Sequence, residues 1–133
     1  MRVHLFDDFG EHNTPDSVFP NNWFSTHPGG HIAIYSMYSR NRRRERRADV
    51  IEMLKHEYRV QDVIDYSGLE QDELFLEGTG AMVFDHLSRV AYTARSNRAD
   101  RLPWSASART STSSRWYSTL PTSKARRSTT PTY

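Results

Sequence analysis

Trp23-Phe-Ser-Thr-His27-Pro-Gly-Gly-His31-Ile-Ala-Ile-Tyr-Ser-Met37 sets two runs of aromatic and β-branched residues on either side of Pro28-Gly29-Gly30. Glycine supplies the positive φ of a tight turn, so the stretch reads as a β-hairpin of Trp23 to Thr26 against His31 to Met37. Downstream, Val50, Ile51, Leu54 and Tyr58 recur at helical spacing with Met53 alongside, while Arg46, Arg47, Glu52 and Lys55 take the other face. That pattern predicts an amphipathic helix over Arg44 to Tyr58. Asp62 to Tyr66, Ala81 to Asp85 and Arg89 to Thr93 read as short strands, the last two joined by a tight turn at His86-Leu87-Ser88. Upstream, Val3 to Phe6 alternates as a short strand closed by Asp7-Asp8-Phe9-Gly10. Ser17 to Phe19 reads as extended because Pro20 opposes helix. The fold class is therefore α/β, built on a ββαβ unit whose sheet edges stay open unless similar units pack beside it. About one and a half such modules are expected.

The chain has 133 residues, 36% of them hydrophobic, and its mean hydropathy is −0.79. No apolar run approaches the ~20 residues of a membrane span, and the N-terminus resembles neither a secretory signal nor a transit peptide. A cytoplasmic protein with no membrane partner is expected. The chain has no cysteine, which removes disulfides, thiolate metal sites and thiol catalysis together. Chemistry must then come from carboxylates, histidine and arginine.

The net charge of +2 conceals an uneven distribution. Residues 1–100 carry 12 Lys/Arg against 16 Asp/Glu, whereas residues 101–133 carry 6 Lys/Arg and no acid. That last stretch also holds 8 Ser, 7 Thr and 3 Pro with almost no aliphatic side chains, too little apolar area to offset the entropy of ordering. The expected organisation is a folded unit at 1–100 and a disordered Ser/Thr/Arg-rich tail at 101–133.

Four segments carry candidate chemistry. Thr14-Pro-Asp16-Ser-Val-Phe-Pro-Asn21-Asn22-Trp23 gathers a carboxylate, two amides and an indole in a stretch two prolines hold extended, able to line a pocket. Asp16 could grip a planar guanidinium through paired hydrogen bonds; the plainer alternative is that Asp16 and Asn21 cap turns. Phe75-Leu-Glu77-Gly78-Thr-Gly80 sets one acid between an apolar strand and two glycines that let backbone approach a ligand. A semi-buried Glu77 could orient an imidazole, as the third member of a nucleophile, base and acid set does; the alternative is a simple turn.

The run Arg40-Asn-Arg42-Arg43-Arg44-Glu-Arg46-Arg47 suggests a nucleic-acid patch or a solvated helix start. Net acidity of residues 1–100 argues against nucleic acid, and helix N-termini disfavour cations, so these arginines should meet a nearby anion such as a substrate carboxylate. Ser96-Asn97-Arg98 could supply another arginine to that anion. His27 and His31 flank a turn without a third ligand at suitable spacing, so no metal site is expected.

Pro15 to Trp23, Asn41 to Arg47, Leu76 to Gly80 and Ser96 to Arg98 together resemble the arginine deiminase and amidinotransferase superfamily, and most of all its bacterial citrulline-hydrolase-like branch. The resemblance covers residues 1 to about 100, with the motifs in order. It implies a pentein, a fan of ββαβ modules around a polar channel, of which this chain would hold part. It also implies chemistry at the guanidino or ureido carbon of arginine, citrulline or a relative through a cysteine-bound intermediate, without metal or organic cofactor. Carried over by motif, Asp16, with Asn22 beside it, would hold the substrate nitrogens and Glu77 would orient the catalytic histidine. Arg42 or Arg43, with Arg98, would hold the substrate α-carboxylate.

The superfamily's His-Thr-Asn segment and late cysteine are missing, and none of the six histidines lies in a matching segment. A truncated fragment, inactive in isolation, is the expectation, and its open edges would allow self-association. Back-translated and read from the third base of each codon, Tyr117 to Tyr133 permits a continuation containing His-Thr-Asn, which suggests a frameshift near residue 100.

Overall fold

The computed structural model describes residues 2–88, 90–94 and 96–100. Strand β1 (Phe24–His27) pairs antiparallel with β2 (His31–Ile34), matching Phe24 with Ile34 and His27 with His31. Gly29 and Gly30 make the connection at φ values of 90° and 80°, where a side chain is strained. Gly30 has a second duty: a Cβ there would run into the Arg59 carbonyl, since Gln61 N–H donates to Gly30 O at 2.8 Å. The chain then crosses through α1 (Arg40–Arg43) and α2 (Ala48–Glu57) to β3 (Asp62–Asp65), parallel to β2. The expected ββαβ unit is thus present, with strand order β1-β2-β3. A 3-10 helix, Ser67–Asp72, leads to a second hairpin, β4 (Met82–Asp85) with β5 (Val90–Thr93). Its turn is held by Asp85 Oδ1, which accepts from Leu87 N–H at 3.1 Å and Ser88 N–H at 2.9 Å.

β2 is central, and its alternate residues feed two cores. Ile32 packs with Trp23, Met37 and Ile51 on the helix side, flanked by Val50, Leu54 and Val63. Ala33 and Tyr35 pack with Leu76, Met82 and Ala99 on the other side, with Phe84 and Tyr66 against them. Among the described residues, no helix is long and apolar enough to cross a membrane.

Several expectations are corrected. Val3 to Phe6 is not a strand: no strand of the described residues lies beside it, and Val3 and Leu5 are exposed. Thr14 to Asn22 is not extended. It folds into turns, with Ser17 N–H to Thr14 O and Phe19 N–H to Asp16 O, and then a 3-10 turn at Pro20–Asn22 that proline is well suited to begin. β2 stops at Ile34 rather than continuing to Met37; Ser36 instead makes an isolated bridge to Leu76. The helix expected from Arg44 begins at Ala48, because Arg47 is extended at φ −109°, ψ 117°. The tail at 101–133, with its proposed frameshift and disorder, lies outside the described residues.

His27 closes the gap between the two hairpins, its ring 5.4 Å edge-on to Phe84 and 5.9 Å from His86. Burial, aided by the neighbouring His86 and His31, lowers its pKa to about 4. The unfolded chain therefore takes up a proton near pH 6.5 while the folded chain resists it to about pH 4, so His27 costs no stability above 6.5 and progressively more as pH falls through that window. Thermal unfolding of the native chain should show a midpoint loss across this window larger than that of His27→Phe. Parallel pH profiles would show that another group controls the acid limb.

Candidate active site

The segment Phe75 to Gly80 crosses the end of the central sheet between two neighbours. Leu76 bridges Ser36 on one side and Ala99 on the other, and Leu76 N–H donates to Ser36 Oγ at 2.8 Å. Glu77 N–H donates to Arg98 O at 3.0 Å, and Asp100 N–H to Phe75 O at 2.7 Å. Glycine follows because the backbone is crowded: a Cβ on Gly78 would press on the Asn21 carbonyl and the Tyr35 ring. Asn21 and Asn22 clamp the turn with their carbonyls, accepting from Thr79 N–H at 3.0 Å and Gly78 N–H at 2.7 Å.

This clamp buries the Glu77 side chain to 1% exposure. A carboxylate so placed must be answered by charge and hydrogen bonds. Arg98 Nε donates to Oε2 at 2.5 Å, and Tyr38 N–H donates to Oε1 at 3.2 Å. The Arg98 guanidinium also reaches Asn22 Oδ1 at 3.5 Å. Glu77, Asn22 and Arg98 are thereby brought together from three distant motifs. The Tyr38 contact had no sequence signal, because a backbone N–H carries no residue type.

The arginine run meets carboxylates supplied by the chain itself. Arg42 forks onto Glu45, Nε to Oε1 at 2.9 Å and Nη2 to Oε2 at 3.0 Å, while its Nη2 lies 3.5 Å from the Asp16 carbonyl. The Glu45 hydrogen bond raises the Arg42 pKa, with the Glu77 and Asp16 charges adding to the effect against partial burial. Arg43 faces elsewhere, donating from Nε to Met37 O at 2.9 Å and from Nη2 to Tyr38 O at 3.3 Å. Arg46 forks onto Glu70 at 2.5 and 2.8 Å, and Glu70 Oε1 accepts from Met37 N–H at 2.7 Å. Glu45, which the charge pattern placed on a solvated helix start, is 3% exposed.

Residues 1–126 match the family described as N,N dimethylarginine dimethylhydrolase, eukaryotic. The chain belongs to this family. No curated protein and no solved structure matches it. Membership in the dimethylarginine dimethylhydrolase family agrees with the wider guanidino-modifying superfamily that the motifs resemble, and the matched stretch contains Asp16, Asn22, Glu77 and Arg98. A separate cleft of about 400 Å³ lies between the N-terminal segment and the start of α2, lined by Asp7, Asp8, Ser17, Arg44 and Arg47. Its lining includes Ser17 and Arg44 to Arg47 from two of the motifs, but none of Asp16, Asn22, Arg42, Arg43, Glu77 and Arg98.

Gly80 is the glycine on which this arrangement depends most directly, because a Cβ there would overlap both Asn22 Oδ1 and the Arg98 guanidinium. Gly80→Ala should destabilise the chain by ~1–3 kcal/mol in urea unfolding. Gly68→Ala, where nothing lies within 4 Å and φ is ordinary, should be neutral or slightly stabilising. Equal effects at the two positions would show that the space around Arg98 is not tightly packed.

Proposed function

We propose that this chain contributes part of a pentein pocket for the guanidino group of a methylated arginine, the substrate class of hydrolytic C–N cleavage. The match of residues 1–126 to the dimethylarginine dimethylhydrolase family carries this reading. In it, Asp16 holds the substrate nitrogens with Asn22 beside it, and Arg42 or Arg43, with Arg98, holds the α-carboxylate. Glu77 orients the imidazole that acts as base and acid. Its support is the burial of Glu77 beside Asn22 and Arg98, and the contact of the Arg42 guanidinium with the Asp16 backbone carbonyl at 3.5 Å.

Hydrolysis would convert N,N-dimethylarginine and water into citrulline and dimethylamine. In the superfamily scheme a thiolate attacks the guanidino carbon, the imidazolium donates a proton to the departing amine, and water then releases the covalent intermediate. A carboxylate behind the imidazole stabilises its cationic form. Glu77 can serve there because each carboxylate oxygen accepts more than one hydrogen bond. The sequence holds no cysteine, so the thiolate would have to come from outside it, from the frame whose loss is proposed near residue 100. The chain by itself is therefore a binder rather than a catalyst. The cytoplasm, where thiols stay reduced, suits such chemistry. The outer strands β1 and β3 leave edges where further modules or a second copy could pack.

The likeness to the citrulline-hydrolase-like branch makes a neutral ureido ligand the competitor. Calorimetric titration should give N,N-dimethylarginine about 10-fold tighter binding than citrulline, because Asp16 meets a cation only in the former. Asp16→Asn should erase that preference. Tighter citrulline binding would move the chain to the ureido branch, and dimethylamine release by this cysteine-free chain would overturn the nucleophile assignment. Where the frame is restored, Glu77→Gln should lower kcat by about 10²-fold or more with little change in KM.

A further inference from the structure

Two buried carboxylates, Glu45 and Glu77, stand among the described residues, and they are answered differently. Glu45 is neutralised from three residues away by Arg42 on the same turn of chain. Glu77 is neutralised from 21 residues away by Arg98, whose side chain is 42% exposed over a carboxylate that is 1% exposed. The guanidinium thus lies across the mouth of a carboxylate floor. Its Nε bonds Glu77 and its Nη2 reaches Asn22, so two nitrogens of one planar fork serve two different acceptors, where an ammonium would offer a single nitrogen to both. The adjacent wall is Gly80, where any side chain would occupy the space of the guanidinium.

We propose that Glu77, Asn22 and the bare backbone at Gly80 form a receptor for a planar guanidinium group, and that Arg98 is its occupant, supplied by the chain itself. This goes beyond the functional reading above, in which Glu77 serves an imidazole and Arg98 a substrate carboxylate, and its test needs no turnover. It follows that a free guanidinium competes with Arg98, and that Glu77 is withheld from other partners until Arg98 leaves. Burial makes the requirement strong, since a carboxylate out of water and without its cation is far costlier than the same group exposed.

The test is chemical rescue in the full-length chain. Arg98→Ala should melt several degrees below the native chain, because it leaves Glu77 without its nearest cation. Millimolar methylguanidinium chloride should raise that midpoint several-fold more than methylammonium chloride at equal ionic strength. The native chain, with the receptor filled, should respond to neither. Adding Glu77→Gln to Arg98→Ala should abolish the selective response. Equal rescue by both cations, or rescue that survives Glu77→Gln, overturns the proposal. If Arg98→Ala does not fold, nitrogen-15 spectra of the unaltered chain decide: the Arg98 Nε proton should exchange ~10-fold or more slowly than that of exposed Arg59, and equal exchange contradicts an occupied receptor.

Discussion

A carboxylate taken out of water is the constraint around which this half of the molecule is arranged. Glu77 is 1% exposed; Oε2 is met by the Arg98 guanidinium and Oε1 by the Tyr38 backbone N–H. An unanswered buried charge costs several kcal/mol, so none of these partners can drift without penalty. The segments that supply them are thereby fixed to one another: Asn21 and Asn22 before β1, Ser36 to Tyr38 after β2, Leu76 to Gly80, and Ser96 to Ala99.

A second ionic cluster holds the same framework from behind. Glu70, on the 3-10 helix after β3, accepts from Met37 N–H and receives the Arg46 fork, while the Arg46 guanidinium also donates to the Tyr35 carbonyl at 3.1 Å. Arg43 lies over the Phe75 ring at 5.4 Å and donates to the Met37 and Tyr38 carbonyls. The irregular stretch after β2 lacks strand partners along its length, so side chains satisfy backbone groups that a ladder would otherwise satisfy. That stretch carries the Tyr38 N–H to Glu77, and the arginine run is the means by which it is held.

What was legible in the sequence was local. The Pro28-Gly29-Gly30 turn, the strands Phe24–His27, Asp62–Asp65 and Met82–Asp85, and the α2 face of Val50, Ile51 and Leu54 depend on neighbours a few residues away, and these are present. Val3 to Phe6 has the right alternation but no adjacent strand, so its pattern was not enough. Pro15 and Pro20 suggest an extended chain, but φ near −65° serves turns and 3-10 starts equally well. The helix starts later than its pattern suggests because Arg47 is extended and Arg46 is drawn to Glu70, 24 residues away, a pairing that helical spacing does not encode. At the site, the motifs named Glu77, Asn22 and Arg98 separately. Their convergence, and the choice of Arg98 as the partner of Glu77, emerged only when the chain was folded, because it depends on a contact spanning 76 residues between Asn22 and Arg98.

Coupling between Glu77 and Arg98 is the claim on which the account of the site rests, and a double-mutant cycle in urea measures it. Glu77→Gln, Arg98→Ala and the double variant should be non-additive, with a coupling energy of about 1–3 kcal/mol, since either change alone strands the other group. Additivity within about 0.5 kcal/mol would mean that the two side chains do not share a site, and would contradict the account.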